Sequence, residues 1–426
     1  MGKYDGILDK VNLKDLTVCV FDTGSFTPLA QRLTEEFGKV LYFSPWEGNG
    51  FPKSKFDKVG TGIKGVERIP SIWDYADSDE IDLYVFTDCY YRAEQEYLRR
   101  RGKLVWGSAG TSWLERNKME FYKWVDKEEM PIPETSEEIG LEELAKNIKP
   151  DEFIKIPEYR GDLETLKYYD KERSEFRLKE LELNLSPFDK TYHSIRQAKI
   201  DGVEIGGDSY TVDGQFPKKY LWGIEDKDRY YFGKIVPYES LPEQIQYVDE
   251  KLAGIFKKEK ARTHFSHEMR IGKNKEPHFM DFTARFPNPP YQLHLEMTKN
   301  LGEIMYYGAQ GEMIEPKYED IYGVVAIFRS PTAEAFNLPI KVPDKVKKFV
   351  KVMNLAIVEE EYVAVNINKF DECGAVVGTG GTLWEARNKC EENAKDVKAD
   401  GLVIDVPSKE DIENKLKELK QFGIQF

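Results

Sequence analysis

The opening of the chain contains the pattern that most restricts how it can fold. An apolar run, LTVCVF at 16–21, is followed by a turn, a helical pattern and a second apolar run at 40–43. Strands that lack polar alternation are buried on both faces, which is typical of a parallel sheet covered by helices. The pattern therefore predicts a β–α–β unit in a parallel sheet.

The same alternation continues further along the chain. A strand at 81–88 is followed by a charged helix and another apolar strand. We therefore predict an open parallel α/β domain over residues 1–112. Ligands of such sheets bind at the carboxyl ends of the strands, here near 22–26 and 87–90.

Three further segments follow in a chain of 426 residues, which is long enough for two to four domains. Residues 113–195 begin with an amphipathic helix that a Pro-x-Pro segment ends, and 196–318 carry a β-meander, a helix and a hairpin. Residues 319–426 predict a separate small α+β domain, with a helix over 344–354 and a helical tail. The predicted fold class is therefore a multidomain combination of α/β and α+β.

Composition and charge exclude several functional classes. The formal net charge of −14 disfavours generic binding to nucleic acid or to an anionic membrane, because phosphate contacts need a basic field. Four scattered cysteines argue against a disulfide framework or a zinc site and fit a reducing compartment. His264 and His267 lack metal-ligand spacing, so we expect a structural role for both. No apolar run reaches the length of a membrane span, and no export signal is predicted. We therefore expect a cytoplasmic protein.

The segment HEMRIGKNKEPHFMDFTARF (267–286) carries an acid on each arm of a predicted hairpin. If the arms pair with Ile271 opposite His278, then Glu268 lies directly opposite Asp281. Opposed side chains share a sheet face with Cβ atoms about 5 Å apart, so the two carboxylates repel each other unless a cation lies between them. Magnesium prefers such oxygen ligands together with substrate phosphates. The hairpin therefore predicts a magnesium site for a nucleotide.

A simpler interpretation of the hairpin stays open at this point. Both acids can lie on a solvated face, neutralised by Arg270 and Arg285. An upstream lysine favours the metal interpretation. Lys155 lies between Ile154 and Ile156 in an apolar strand, where an unpaired charge is costly, so we expect it to contact a ligand.

Together these segments resemble the ATP-grasp superfamily, and within it the phosphoribosylamine–glycine ligase family. The resemblance covers the domain order of nearly the whole chain. It rests on LERNK (114–118), FIKIPEYRG (153–161), QAKIDGVEIGGDSYTVDG (197–214), MDFTARFPNPP (280–290) and VVGTGGTLWEARNKC (376–390). It implies a two-part ATP-grasp domain, in which 113–195 form the linker helix and lid and 196–318 form the core with the metal site.

The resemblance assigns several residues to ATP. Lys118, in LERNK, and Lys155, in FIKIP, correspond to the two lysines that contact the phosphates. In that family, backbone groups of a hinge between the two halves of the domain bind adenine, and an acid just beyond the hinge lies near the ribose. The residues implied for these contacts are Gln197, Lys199, Ile200 and Glu204.

The same resemblance assigns the metal and the reacting groups. MDFTARFPNPP resembles the ligase pattern acid-x-Asn-x-Arg-Phe-Gly-Asp-Pro, which implies metal ligands at Glu268, Asp281 and Thr283. Arg285 takes the place of the arginine that contacts phosphate or substrate, and it is implied in catalysis together with Lys155. The implied cofactors are ATP and Mg²⁺, with Mn²⁺ as an alternative ion.

Three departures from the family pattern bear on the substrate. Thr283 replaces the metal-binding asparagine and is a weaker oxygen ligand. The loop PEYRGDLET (157–165) has one glycine where the family has a glycine-rich phosphate loop, so Arg160 would have to supply charge there. The first-domain turn DTGSFTP lacks the phosphoribosyl-binding glycines, which argues against phosphoribosylamine as a substrate.

The function that the resemblance implies is an ADP-forming carboxylate–amine ligase. ATP would activate a small-molecule carboxylate as an acyl phosphate, which a small-molecule amine then attacks. Two alternatives stay open: an ATP-grasp kinase that stops at the phosphorylated product, and a nucleotide-binding regulatory or scaffold protein without turnover. Nucleic acid and membranes are not expected as partners.

Overall fold

The computed structural model describes residues 11–45, 58–156, 165–188, 190–367 and 370–426. Within these ranges, no helix is long and apolar enough to cross a membrane. The helices are α1 (Thr27–Leu33), α2 (Arg92–Arg100), α3 (Trp113–Arg116), α4 (Lys118–Lys127), α5 (Leu141–Asn147), α6 (Lys171–Leu185), α7 (Glu243–Glu259), α8 (Tyr291–Met297), α9 (Leu301–Gln310), α10 (Leu383–Ala394) and α11 (Lys409–Gln421). The strands are β1 (Thr17–Phe21), β2 (Lys39–Phe43), β3 (Val66–Arg68), β4 (Leu83–Phe86), β5 (Val105–Trp106), β6 (Thr135–Ile139), β7 (Phe153–Lys155), β8 (Thr165–Lys167), β9 (His193–Gln197), β10 (Gly202–Val212), β11 (Lys219–Asp226), β12 (Tyr230–Pro237), β13 (Arg262–Gly272), β14 (Pro277–Thr283), β15 (Tyr322–Arg329), β16 (Leu338–Ile340), β17 (Val350–Val352), β18 (Leu355–Val358), β19 (Glu361–Ala364), β20 (Glu372–Gly380) and β21 (Val403–Ile404).

The first sheet is open and parallel, as the sequence predicts. Its five strands lie in the order β3-β2-β1-β4-β5, and every neighbouring pair is parallel. All of β4 and all but the first residue of β1 are buried. Because both faces of these strands are covered, their sequences show no polar alternation. The carboxyl ends of β1 and β4 are neighbours, so the loops at 22–26 and 87–90 begin at the same edge of the sheet.

The second sheet belongs to the segment that is expected to act as a lid. Its strands lie in the order β6-β9-β7-β8, and all pairs are antiparallel. Ile154 and Ile156, at the end of β7, pack with Leu144 of α5 and Leu185 of α6 in a core of their own. Lys155 lies between the two isoleucines, so the packing of these side chains in the core of the second sheet fixes the position of its backbone.

The third sheet is the largest, and it has the predicted hairpin at one edge. Its main path runs β14-β13-β10-β11-β12-β15-β20-β17, and β21 pairs with β15. The meander predicted over 195–216 is found only in part. The strand between its two Asp-Gly turns is β10, which forms an antiparallel meander with the later strands β11 and β12, whereas β9, before the first turn, belongs to the second sheet. β12 pairs in turn with β15, so the strands after residue 319 continue this sheet instead of starting one apart from it. A small sheet in the order β16-β19-β18 lies in the same C-terminal segment.

The helix predicted over 344–354 is wrong. Asp344–Phe349 form a 3₁₀ turn, and β17 follows and pairs antiparallel with β20. All three residues of β17 are buried, and Lys351 at its centre pairs with Glu296 at 3.0 Å. Tertiary contacts therefore outweigh the local helical pattern.

The C-terminal segment covers the first loop of the parallel sheet. The backbone N–H of Asn354 donates to the carbonyl of Gly24 at 2.8 Å, and Thr27 Oγ1 donates to the carbonyl of Val352 at 3.0 Å. Gly24 has a φ of +107°, and a Cβ atom there would overlap the side chains of Asn354 and Ile367. This turn therefore requires glycine.

Gly24→Ala should lower the free energy of unfolding by about 1–3 kcal/mol, because alanine is strained at this φ and crowds Asn354. Gly254→Ala is the matched control. Gly254 is exposed within α7 and has no neighbouring atom within 4 Å of the Cβ position, so alanine should stabilise the protein by about 0.5–1 kcal/mol. Urea denaturation of both variants measures the difference. Equal stability of the two variants would contradict the packing of Asn354 against the loop.

Candidate active site

The hairpin of β13 and β14 places Glu268 directly opposite Asp281, as the sequence predicts. The predicted register at the turn is wrong by one residue, because Ile271 pairs with Pro277 instead of His278. The two acids nevertheless meet, so a second irregularity must compensate for the first.

That irregularity is a β-bulge beside the acids. Met269 pairs with Phe279, whereas the preceding residue, Glu268, pairs with Asp281. Met280 is therefore the extra residue of β14 and has no partner residue on β13. Bulges of this kind redirect side chains and recur next to active sites. Here the bulge brings Asp281 back into line with Glu268.

Two buried lysines converge on Asp281. Lys118 is the first residue of α4 and donates to Oδ1 of Asp281, and Lys155 ends β7 with its Nζ 3.3 Å from Oδ2. The lysines are only 1% and 4% exposed. Burial alone would raise the pKa of Asp281, but the two ammonium groups outweigh it and hold that pKa well below its usual range. Helix α4, the second sheet (called the lid sheet from here on) and the third sheet (called the central sheet) thus meet at one carboxylate.

A second buried ion pair lies beside the first. Glu115 Oε1 accepts from Nε of Arg285 at 2.9 Å, and its Oε2 accepts from the backbone N–H of Ala284 at 2.8 Å. Glu115 precedes Lys118 by three residues, and Arg285 follows Asp281 by four. The motif LERNK therefore forms two ion pairs with the end of β14 and the residues after it. Glu115 pairs with Arg285, and Lys118 pairs with Asp281. Arg285 is engaged with Glu115, and its contact with phosphate or substrate stays a prediction.

Tyr122 has contacts in the site that the motifs do not predict. Its hydroxyl donates to the carbonyl of Met280 at 2.9 Å and accepts from Nζ of Lys155 at 2.9 Å. Nζ of Lys155 also donates to the carbonyl of Met280 at 2.9 Å. Tyr122 follows Lys118 by four residues on α4, so the two side chains share one face of the helix. That spacing is the signal in the sequence that could have identified it.

Glu268 faces a cleft that is rich in acids. The residues that line its roughly 370 Å³ of open space include Glu204, Asp208, Glu225, Glu268, Thr283 and Asn288. Burial and the neighbouring Glu204 raise the pKa of Glu268 to about 7. Burial and Glu268 raise the pKa of Glu225 well above its usual value. The motifs predict neither Asp208 nor Glu225, since both lie on strands whose role becomes visible only in the assembled sheet.

The cleft is lined by carboxylates, the type of ligand that divalent cations prefer. Burial raises the pKa of Glu268 most, and repulsion by Glu204 and Asp281 adds to it, whereas Lys227 opposes it; a cation would relieve the repulsion that remains. Within the described ranges, no group of three or more His, Cys, Asp or Glu side chains is arranged to hold one metal ion. A cation here would therefore have two protein carboxylates and Thr283 beside it, with phosphate oxygens and water as further ligands, as is usual for magnesium. The predicted ligands remain predictions.

The predicted adenine hinge lies between the lid sheet and the central sheet. Gln197 ends β9, residues 198–201 have no regular structure, and β10 begins at Gly202. Gln197 is fully buried, and its Nε2 donates to Thr135 Oγ1 at 3.1 Å. Its Oε1 accepts no hydrogen bond from any residue that the structure describes. A buried acceptor without a donor is a reason to expect a ligand at this point.

The other predicted nucleotide residues divide into two groups. Glu204 lies in the cleft with Glu268 and accepts from Arg270 at 2.6 Å. Lys199 is exposed and pairs with Asp201 at 3.3 Å, and Ile200 is half-buried. Glu204 therefore lies in the acidic cleft beside Glu268, whereas Lys199 and Ile200 lie in the connection between β9 and β10.

The two histidines near the hairpin are buried structural residues, as expected. His264 accepts from Nε1 of Trp106 at 3.1 Å and stacks on Phe286 with ring centroids 4.2 Å apart. Nε2 of His267 lies 3.0 Å from Oδ1 of Asp249, which joins β13 to α7. Of the loop predicted to cover the phosphates (157–165), residues 157–164, including Arg160, lie outside the described residues.

Glu268 should make the stability of the metal-free protein fall as pH rises. Its pKa is raised from an ordinary 4.5 to about 7, so between these values the folded protein binds more protons than the unfolded chain. The free energy of unfolding should therefore decrease by about 2–3 kcal/mol across this window because of this one group. Urea denaturation at pH 5 and pH 8 with EDTA, compared with Glu268→Gln, isolates the effect. A difference between the two proteins that does not change with pH would contradict it.

Comparison with known proteins identifies the fold. No protein-family model matches the chain, and no curated protein matches its sequence. The structure resembles phosphoribosylamine–glycine ligase from Thermotoga maritima with a TM-score of 0.67 and 16% identity, over 91% of this chain and 99% of that one. It resembles biotin carboxylase from Campylobacter jejuni, solved as a β-γ-ATP complex, with a TM-score of 0.64 and 13% identity, over 93% and 96% of the two chains.

A third match carries a nucleotide and a metal. The biotin carboxylase domain of 2-oxoglutarate carboxylase from Hydrogenobacter thermophilus, in complex with MgADP, ADP and bicarbonate, has a TM-score of 0.66 and 12% identity, over 96% of this chain and 97% of that one. At such identities the likeness shows the fold. This chain therefore shares the fold of these proteins over nearly its whole length, and the predicted multidomain α/β and α+β class is confirmed.

Proposed function

We propose that this chain is an ATP-dependent, ADP-forming ligase that joins a small-molecule carboxylate to a small-molecule amine. One arrangement carries the proposal: two buried lysines from separate elements meet Asp281, which lies opposite Glu268 at an acidic cleft. In an ATP-grasp fold, such a site offers positive charge for phosphates and carboxylates for their cation. Phosphoryl transfer needs this neutralisation and positioning more than covalent help from the protein.

Lys118 and Lys155 would bind the phosphates of ATP. Each would exchange its bond to Asp281 for a bond to a phosphate oxygen. Glu268 and Asp281, with Thr283 beside them, would hold Mg²⁺, or Mn²⁺ in its place. The bound cation would neutralise the charge of the phosphates. The lysines and the carboxylates would thus change partners when the nucleotide and its cation enter.

The adenosine part of ATP would bind where the lid sheet joins the central sheet. Oε1 of Gln197 is buried without a donor, and the exocyclic amino group of adenine could supply one. Glu204, which lines the cleft, would accept a hydrogen bond from a ribose hydroxyl. The residues assigned to this part of the site are Gln197, Lys199, Ile200 and Glu204.

The reaction would proceed in two steps. An oxygen of the substrate carboxylate attacks the γ-phosphorus, the bond to the β,γ-bridging oxygen breaks, and ADP leaves. The nitrogen of the amine then attacks the acyl carbon, the carbon–oxygen bond breaks, phosphate leaves and the nitrogen loses a proton. Arg285, held by Glu115, would grip the carboxylate or the phosphoryl group through its planar fork. The lid would keep water from the acyl phosphate.

The test is ADP formation from ATP and magnesium, with and without an extract of small metabolites. A ligase should release ADP only with the extract and with magnesium, and mass spectrometry should find an amide among the products. A phosphorylated product without an amide would identify a kinase instead. ATP binding without ADP in any mixture would contradict the ligase and favour a nucleotide-binding protein without turnover.

A further inference from the structure

The bulge at Met280 supplies a carbonyl to the site. Met280 has no partner residue on β13, and β14 is the edge strand of its sheet, so the carbonyl of Met280 is available to groups outside the sheet. Two donors use it, Nζ of Lys155 and the hydroxyl of Tyr122, each at 2.9 Å. The same irregularity that aligns Asp281 with Glu268 therefore also anchors a lysine.

Lys155 has one partner for each of its three N–H donors. An ammonium group carries three donors and no acceptor. The three acceptors around Nζ are the Tyr122 hydroxyl at 2.9 Å, the Met280 carbonyl at 2.9 Å and Asp281 Oδ2 at 3.3 Å. Asp281 is the most distant of the three, and it also serves Lys118. It is also the only charged partner of the three, so an anionic phosphate oxygen can take its place and keep the charge of Lys155 paired.

Tyr122 is placed to act on Lys155. It is 3% exposed and follows Lys118 by four residues, so one face of α4 carries both a lysine of the site and this hydroxyl. The hydroxyl closes a triangle with Nζ of Lys155 and the Met280 carbonyl, since it accepts from the first and donates to the second. A phenylalanine would fill the same space without closing this triangle.

We propose that Tyr122 and the carbonyl of Met280 are positioning groups. They hold Lys155 in place when Asp281 binds a cation and no longer accepts a hydrogen bond from Lys155. The inference rests on the proposed function, since it assumes that nucleotide phosphates enter the site. Two N–H donors of Lys155 stay on Tyr122 and Met280, and the third turns from Asp281 to a phosphate oxygen. The side chain of Lys155 therefore keeps its position before and after the nucleotide and its cation bind. Without these two groups it would be free to rotate once Asp281 binds the cation.

Equilibrium binding to Tyr122→Phe tests this role. Calorimetry is carried out with magnesium and a non-hydrolysable ATP analogue, and separately with adenosine, which has no phosphates. Tyr122→Phe should weaken binding of the ATP analogue about 10-fold and change binding of adenosine less than twofold. Tyr168→Phe is the matched control, because Tyr168 is also buried but packs in the core of the lid sheet. It should change neither affinity.

The same substitution in the Lys155→Met variant distinguishes a positioning role of Tyr122 from a general loss of packing. If Tyr122 acts through Lys155, then adding Tyr122→Phe to Lys155→Met should weaken analogue binding less than twofold further. A 10-fold loss in both backgrounds, or an equal loss for adenosine, would overturn the positioning role and make Tyr122 a packing residue. Unchanged analogue affinity in Tyr122→Phe would also overturn it while leaving the proposed function intact. Failure of the unmodified protein to bind the analogue would overturn both.

Discussion

Replacing Asp281 with asparagine should lower the free energy of unfolding by about 3–5 kcal/mol. Asp281 is shared by Lys118 and Lys155, which are 1% and 4% exposed. Asparagine keeps the shape of the side chain but leaves two buried ammonium groups without their carboxylate. A buried charge that loses its partner is among the most costly of single changes, because the desolvation of the charge is no longer offset.

Urea denaturation at pH 7 measures the loss, and Asp151→Asn is the control. Asp151 pairs with Lys167 of β8 at 3.0 Å on the protein surface, and removing such an exposed pair should leave the free energy of unfolding nearly unchanged. Adding Lys155→Met to Asp281→Asn should restore part of the lost stability, since one of the two uncompensated charges is then removed. If Asp281→Asn is as stable as Asp151→Asn, the two lysines do not depend on Asp281 as the structure indicates.

The sequence predicts those parts of the fold whose signal is local. The apolar runs at 16–21 and 40–43 indicate a parallel sheet because strands buried on both faces show no alternation. The opposition of Glu268 and Asp281 is also predicted, but for an incomplete reason. The prediction assumes a regular hairpin, whereas the true turn is displaced by one residue and the bulge at Met280 corrects the displacement. A bulge has no clear signature in a single sequence, so the agreement depends on two errors that cancel.

The partners of the site residues are much harder to predict. The motif LERNK identifies Lys118, but nothing local indicates that Glu115 binds Arg285, 170 residues further along the chain. The sequence likewise predicts that Glu268 and Asp281 lie opposite each other, but it does not predict the ion pairs of Asp281 with Lys118 and Lys155. Long-range ion pairs depend on how separate elements pack, and only the assembled structure supplies that information. The strand at Val350–Val352, predicted as part of a helix, was missed for the same reason, since its pairing with β20 is a tertiary contact.

Glu268→Gln should have opposite effects on folding and on turnover. Glutamine keeps the shape of the side chain and removes a charge that burial and the neighbouring Glu204 disfavour, so the metal-free protein at pH 8 should be at least as stable as before. ADP formation should fall about 10²–10³-fold, which is the scale of losing one electrostatic group that stabilises a transition state. Magnesium affinity, measured by calorimetry with a non-hydrolysable ATP analogue, should fall with it.

These measurements distinguish a metal ligand from a structural acid. Glu276→Gln, an exposed position on the turn of the same hairpin, is the control and should change neither stability nor turnover. Unchanged turnover in Glu268→Gln would contradict the metal assignment, and turnover lost together with stability would give Glu268 a structural role. The contrast with Asp281 follows from their partners. Asp281 is neutralised by two lysines, so its loss should destabilise the fold. Glu268 is buried beside Glu204, and Lys227 offsets only part of the cost of its charge, which a cation would lower further.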